Sequence, residues 1–331
     1  MKGERSAYLS NMSLDIPCSS SRLALIRNGA VVVLDNPAIF QVQGTGALTC
    51  LQGLFTCDLA EAGVDSLSWG ALLSAKGMIL FDAWAIREAG GFTLVTEASA
   101  RGLALELFRR TLPPRLAKLT DWSESHRVAW LLGRSSTDRL DTPPEPGRIS
   151  RIGAEGESIL ARGAPQAPFG YFGVGPADSI AEWRDSLRDG GVTQGTEDDF
   201  AAAKVLAGWP TLGREIDDKT LPQEVRFDEL GGVSYTKGCY TGQETVARIH
   251  FRGHVNRTLR GVLMDAGTPP GNRVIRAGEK EVGTLRSALV LEDRVLALAM
   301  IRREIDREPR LAADGRSVRI MTLPLAESES N

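Results

Sequence analysis

Apolar positions along this chain recur sometimes at every second residue and sometimes at helical spacing, and the changes mark out its elements. Ala30 to Asp35 (AVVVLD) is a β-branched run halted by Asn36-Pro37, which predicts a strand. Leu48, Leu51 and Leu54 recur at helical spacing and predict a short helix ending near Phe55. Two apolar runs between Trp69 and Ile86 flank Lys76-Gly77, the pattern of a β-hairpin, and Phe92 to Val95 extends that sheet. Ala98 to Leu112 is helical by composition and stops at Pro113-Pro114. Val128 to Gly133 reads as a further strand and 134–147 as a surface loop. An amphipathic helix is expected over Ser179 to Gly190, with Ser179 and Glu182 as a capping box, and another over Glu197 to Leu206.

From about Leu259 the texture changes to short strands (Arg260–Met264, Glu281–Ala288, Val295–Ile301, Val318–Thr322) separated by glycine and charged turns, as in a small antiparallel β-barrel. The fold class expected is therefore α+β with an all-β end. Residues 1–22 are polar, with Ser19, Ser20 and Ser21 in a row, and 1–27 is expected to be a flexible N-terminal tail, with 326–331 a second tail.

Composition narrows the classes. The chain has 331 residues, enough for more than one core, and a formal net charge of −3, which argues against a nucleic-acid binder acting through bulk charge. Its four cysteines (Cys18, Cys50, Cys57, Cys239) include no C-x-x-C pair, and its three histidines are His126, His250 and His254, so no structural metal site is expected. So few cysteines read as reduced thiols. With no signal-like or membrane-spanning run, a soluble cytoplasmic protein is the expectation.

The segment Ser234 to Arg260 (SYTKGCYTGQETVARIHFRGHVNRTLR) carries the most chemistry. Gly238 and Gly242 flank Cys239 and permit a tight turn. Thr241-Gly-Gln-Glu244 fits a capping box, so a helix is expected to start just after the cysteine, with Lys237 two residues before it; both features favour a thiolate. A cysteine here can equally pack as a small hydrophobe. Arg248, Arg252, Arg257 and Arg260 make the segment basic, either as a solvated helix face or as an anion site.

Lys237-Gly-Cys-Tyr-Thr-Gly-Gln-Glu244 followed by Val246-Ala-Arg248 resembles the signature of the YgfZ family. Other segments resemble that family in order: Leu51-Gln-Gly53 with Thr56 and Asp58, Lys76-Gly77 through Asp82, Ala207-Gly208-Trp-Pro210, Leu221-Pro-Gln-Glu224, and Leu323-Pro324 after the final strands. The resemblance spans roughly residues 28–325. It implies the fold of the glycine-cleavage aminomethyltransferase (GcvT-like), with a folate-binding region of two α+β units over 28–258 and a C-terminal β-barrel over 259–325.

It further implies a tetrahydrofolate-binding protein that supports assembly or repair of iron–sulfur proteins, including tRNA-modifying enzymes. The partners implied are folate and those proteins or their assembly machinery, with neither membrane nor nucleic acid as direct ligand. On this reading Cys239 and Asp82 are the candidate catalytic residues; Asp82 aligns with the transferases' aspartate. Lys237, Tyr240, Gln243, Glu244, Arg248, Arg252 and Arg257 are the candidate folate contacts, the arginines for the glutamate tail. One departure stands out. The transferases' pterin-recognising glutamate falls at Leu206, in Lys204-Val-Leu-Ala-Gly208, which weakens folate binding in that mode and ranks aminomethyl transfer second. A folate-dependent activity at Cys239, a glycine-cleavage-type aminomethyltransferase and a non-catalytic binding module all remain open.

Overall fold

The computed structural model describes residues 14–305 and 310–325. In chain order it places β1 (Asp15–Pro17), α1 (Ser20–Asn28), β2 (Val31–Asp35), β3 (Ala38–Gln43), α2 (Ala47–Gln52), β4 (Ser66–Leu73), β5 (Ile79–Glu88), β6 (Gly91–Thr96), α3 (Arg101–Thr111) and β7 (Lys118–Asp121). There follow β8 (His126–Leu132), β9 (Ile149–Ile152), β10 (Ser158–Arg162), β11 (Tyr171–Pro176), α4 (Ala177–Asp189), β12 (Thr193–Gln194), α5 (Glu197–Ala207) and α6 (Gln243–Arg252). The last run is all β: β13 (Arg257–Asp265), β14 (Val274–Ala277), β15 (Lys280–Val290), β16 (Arg294–Arg302), β17 (Leu311–Ala313) and β18 (Arg316–Met321).

Two open sheets form the body. One is antiparallel, in the order β4-β5-β6-β3-β7; the other runs β12-β2-β8-β11-β10-β9, with only the β12–β2 pair parallel. The final strands close into a six-stranded antiparallel barrel, because β15 pairs with β16 as well as with β14. Alternation on β5 divides its residues between two cores. Phe81, Ala83 and Ala85 pack with Leu51, Phe55 and Phe108, while Asp82 and Trp84 point to the other face of the sheet. That face meets the second sheet, and the molecule's largest aromatic cluster lies between them.

Three expectations change here. The supposed tail is ordered from residue 14: Asp15–Pro17 adds to the barrel parallel to β15, and Ser19 caps α1 by accepting the Arg22 N–H at 3.1 Å. Arg22 pairs with Asp199 of α5, and Ser20 donates to Glu292. The serines belong not to a flexible tail but to the start signal of a helix; positions 1–13 and 326–331 lie outside the described residues. The Ser179–Glu182 capping box does not form, because α4 begins earlier, after Pro176. Nor does Thr241 cap α6. Its N-cap is Gly242 at φ 82°, a left-handed conformation that glycine adopts without strain. No helix among the described residues is long and apolar enough to cross a membrane.

Candidate functional site

The space between the two sheets holds a narrow slot, and a wider groove lies beside it, with Pro168 on the wall of both. The slot, about 40 Å³, is lined by Asp35 of β2, Asp82 and Trp84 of β5, Trp130 of β8, Phe200 and Lys204 of α5, and Trp209. Its walls are aromatic. Trp84 stacks on Trp209 at 5.3 Å and Trp130 on Phe200 at 4.5 Å, and behind this wall Trp69 stacks on Phe227 at 4.1 Å.

Asp82 accepts the Trp69 indole N–H through Oδ2 at 2.8 Å, while its Oδ1 is buried without a partner. Burial pushes its carboxyl up to about 6, against the pull of the Trp69 bond. Asp35 stands in a parallel arrangement on the other sheet: its Oδ2 accepts the Trp130 indole at 2.9 Å, and burial raises its carboxyl too. Lys204 bonds Glu97 within the same slot; burial would lower its ammonium, but Glu97 and the two aspartates raise it overall.

The groove, about 640 Å³, is of the size that holds small-molecule ligands. Pro168 lines both it and the slot. Phe169, Tyr171 and Leu206 contribute apolar wall, and Arg27, Arg134, Arg162 and Arg226 contribute positive charge. Arg226 is bonded to Glu229 and to the Ala207 and Gly208 carbonyls, and Arg162 lies over the Tyr171 ring at 5.4 Å. Arg134 and Arg162 have no carboxylate partner among the described residues. Such a cavity suits a flat ring with an anionic tail.

Of the candidate catalytic and folate-contact residues named in the sequence, only Asp82 lines the slot and none lines the groove, where Leu206, the position of the transferases' glutamate, forms part of the wall. Lys237 is buried and turned inward. Its Nζ donates to the carbonyls of Gln52, Phe55 and Cys57 at 2.7, 2.7 and 2.8 Å, so every donor of the ammonium is used and none remains for a ligand or for Cys239. Burial lowers it to about 8. Tyr240 is buried 5.2 Å from that Nζ. Gln243 and Glu244 occupy the first turn of α6. Arg257 is paired with Glu224 across 33 positions. Arg248 and Arg252 are exposed, as is Cys239. The cysteine thus sits on a docked surface loop, with Ser234 N–H on Thr56 O at 2.8 Å and Thr241 N–H on Gly53 O at 3.1 Å. Asp35, Lys204, the tryptophans and the groove arginines went unread as site residues. The one signal available was the crowding of aromatic residues around an aspartate in β5.

Residues 256–324 match the family model described as the CAF17 C-terminal β-barrel domain. The chain is 26% identical over 326 residues to the tRNA-modifying protein YgfZ of Escherichia coli O6:K15:H31, covering 95% of this chain and 97% of that protein. It is 25% identical over 331 residues to the protein of the same name from Escherichia fergusonii, with the same coverage. Among solved structures, glycine cleavage system aminomethyltransferase T from Bartonella henselae superposes with a TM-score of 0.77 at 15% identity, covering 93% of this chain and 89% of that one. The chain therefore has the aminomethyltransferase fold. Within that fold it is similar over nearly its whole length to the tRNA-modifying protein YgfZ, and its last strands match the CAF17-type barrel after the cysteine segment.

Proposed function

We propose that this protein binds a reduced folate in the groove lined by α1, α5 and the β10–β11 connection and thereby supports the proteins that modify tRNA, iron–sulfur enzymes among them. The groove carries the reading. It joins aromatic and apolar wall to a set of arginines, and Pro168 on its wall also lines the slot that holds a carboxylate with a free buried oxygen. A folate asks for these features: a planar head with N–H donors and a tail of carboxylates. Phe169, Tyr171 and Leu206 would flank the ring system, Arg134 and Arg162 would meet the tail, and Asp82 would face the donors of the head. When bound, the folate would supply a carrier for one-carbon units. The protein's own part is to orient that carrier and to keep a carboxyl in a dry slot, where it can hold or accept a proton.

The tRNA link rests on the name carried by the Escherichia relatives; the iron–sulfur link rests on the signature resemblance around Cys239. An exposed thiol on a glycine-flanked loop is accessible to a protein partner, whereas the slot is not. Leu206 in place of a glutamate sets the groove apart from the transferase pattern and ranks aminomethyl transfer second.

Calorimetric titration with tetrahydrofolate at low and high salt tests the reading. Binding that weakens as salt rises, and that falls at least severalfold in Arg162→Ala, is expected from an ionic tail contact. Absence of heat and of competition at millimolar ligand overturns it.

A further inference from the structure

The far end of α6 carries an aromatic side chain that the fold holds out in water. Phe251 is 67% exposed, which by itself is ordinary for a surface residue. Its support is not. The ring stands at 87° to His250, centroids 4.8 Å apart, and at 73° to Tyr235, and those two rings stack on each other at 3.6 Å. Tyr235 is anchored in turn: its hydroxyl is bonded to Asp228 and receives the Gln223 amide at 3.4 Å, and that amide also donates to the Val246 carbonyl of α6 at 2.9 Å. Arginines surround the ring. Arg248 and Arg252 are exposed on the same helix, three residues before Phe251 and one after it. Arg302 and Arg303, also exposed, arrive from the barrel. Arg302 is opposite Arg257 in the β13–β16 ladder, and the Arg303 N–H donates to the Asn256 carbonyl at 3.0 Å, just past the end of α6. None of the four has a carboxylate partner among the described residues, Glu224 being taken by Arg257 and Glu304 by Lys280. The single acid of α6, Glu244, lies in its first turn, about 10 Å along the axis from Phe251.

We infer that this corner binds single-stranded nucleic acid, with a base stacked on Phe251 and the flanking phosphates on Arg248, Arg252, Arg302 and Arg303. A rigid aromatic face among unpaired cations is what such strands use: the base supplies a π-face, and the guanidinium forks match the phosphate oxygens. A duplex hides its base faces and could use only the arginines. A protein partner would need an apolar core to its interface, and the corner offers one ring. The other exposed large apolar side chains among the described residues, Val64 and Leu116, lie elsewhere, between α2 and β4 and between α3 and β7. The formal net charge of −3 speaks against binding through bulk charge, not against a local set of arginines. Nucleic acid, set aside as a direct ligand on the sequence, thus returns through a patch that α6 and the end of β16 build together. None of its residues lines the folate groove, so the two readings stand or fall separately.

The test is fluorescence anisotropy of labelled oligonucleotides titrated with the full chain. Oligouridine and oligothymidine of about a dozen residues, within the usual span of single-strand sites, should both bind at low salt, and the matching duplex more weakly. Tighter binding of oligouridine assigns RNA; equal affinities assign the chemistry the two strands share. Phe251→Leu keeps an apolar side chain but removes the π-face, and should weaken binding by about five- to a hundredfold; Phe251→Trp should retain it. Arg302→Gln combined with Arg303→Gln should flatten the plot of log affinity against log salt by about 1.4, two contacts at ~0.7 each. All these positions are exposed, so thermal melts should match wild type. No binding of either oligonucleotide at low salt, or wild-type affinity in Phe251→Leu, overturns the inference. Poly-glutamate competing as well as unlabelled oligouridine overturns it in favour of an acidic protein partner.

Discussion

Gly242, at the start of α6, lies against Gly77 of the β4–β5 hairpin, so close that a Cβ on Gly242 would fall 3.1 Å from the Gly77 Cα and 2.6 Å from the Ser74 carbonyl oxygen. The two glycine-bearing motifs of the sequence, 165 positions apart, are thus halves of one contact. This contact, with the Lys237 bonds, positions the Cys239 loop.

Gly242→Ala should therefore destabilise the protein by about 2 kcal/mol or more, since it adds a left-handed alanine to a steric conflict with backbone. Urea denaturation measures the loss. The Cys239 loop should loosen with it, seen as faster amide exchange over 234–242.

Lys237→Met should cost on the order of 3 kcal/mol by leaving three carbonyls without their donor. Folate affinity of the folded fraction should be unchanged, because Lys237 does not reach the groove. A melt and a titration on the same sample separate the two effects; weakened binding by a fully folded variant would restore Lys237 as a ligand contact.

The pH dependence of stability should report Asp82. Its carboxyl is raised from the ordinary range near ~4 to about 6 in the fold. The native state thus favours its neutral form, and this contribution is full at low pH and lost as pH rises through 6. Asp82→Asn keeps an acceptor for Trp69 and stays neutral throughout. At pH 7.5 the variant should be more stable than wild type, by on the order of 2–3 kcal/mol, and at about pH 4 the two should coincide. Parallel urea curves across that range check the sign; a gap that widens on acidification would contradict it. Folate-linked function should fall in the same variant.

Thiol reactivity should divide the cysteines. Cys239 is exposed, while Cys57 is buried against Gly70 and its thiol is pushed up to about 12 by burial. Iodoacetamide at neutral pH should label Cys239 within minutes and leave Cys57 unmodified in the native protein, as read by mass spectrometry. Cys239→Ser should retain the wild-type melt yet fail to complement a strain deficient in iron–sulfur enzyme activity. Full complementation would remove the chemical role given to this thiol.

Local pattern made the hairpin legible: Lys76-Gly77 between apolar runs and the alternation of β5 are short-range signals, and they placed Asp82 correctly on its strand. The barrel strands were legible for the same reason. The slot was not, because its lining comes from β2, β5, β8 and α5, and only the packing of two sheets brings Asp35 and Lys204 beside Asp82. The Cys239 segment misled in the opposite way. Its lysine and Arg257 looked available in sequence, but a triad of carbonyls and Glu224, all distant along the chain, had already claimed them. Thr241 and Glu244 had capping-box spacing, yet the sharp entry into α6 needed a glycine, so Gly242 took the cap.

The pairing of β1 with β15 sets a schedule for biogenesis. Asp15 is opposite Ala288, so the first described strand finds its partner only after about 270 further residues have been made. At the usual ~5–20 residues per second this is a wait of roughly 15 to 50 seconds, during which β1 has no ladder and the body lacks one edge of its packing. Folding on the ribosome should thus finish late and all at once, and a transcript cut short before β15 should yield a chain open to proteolysis at its amino-terminal end.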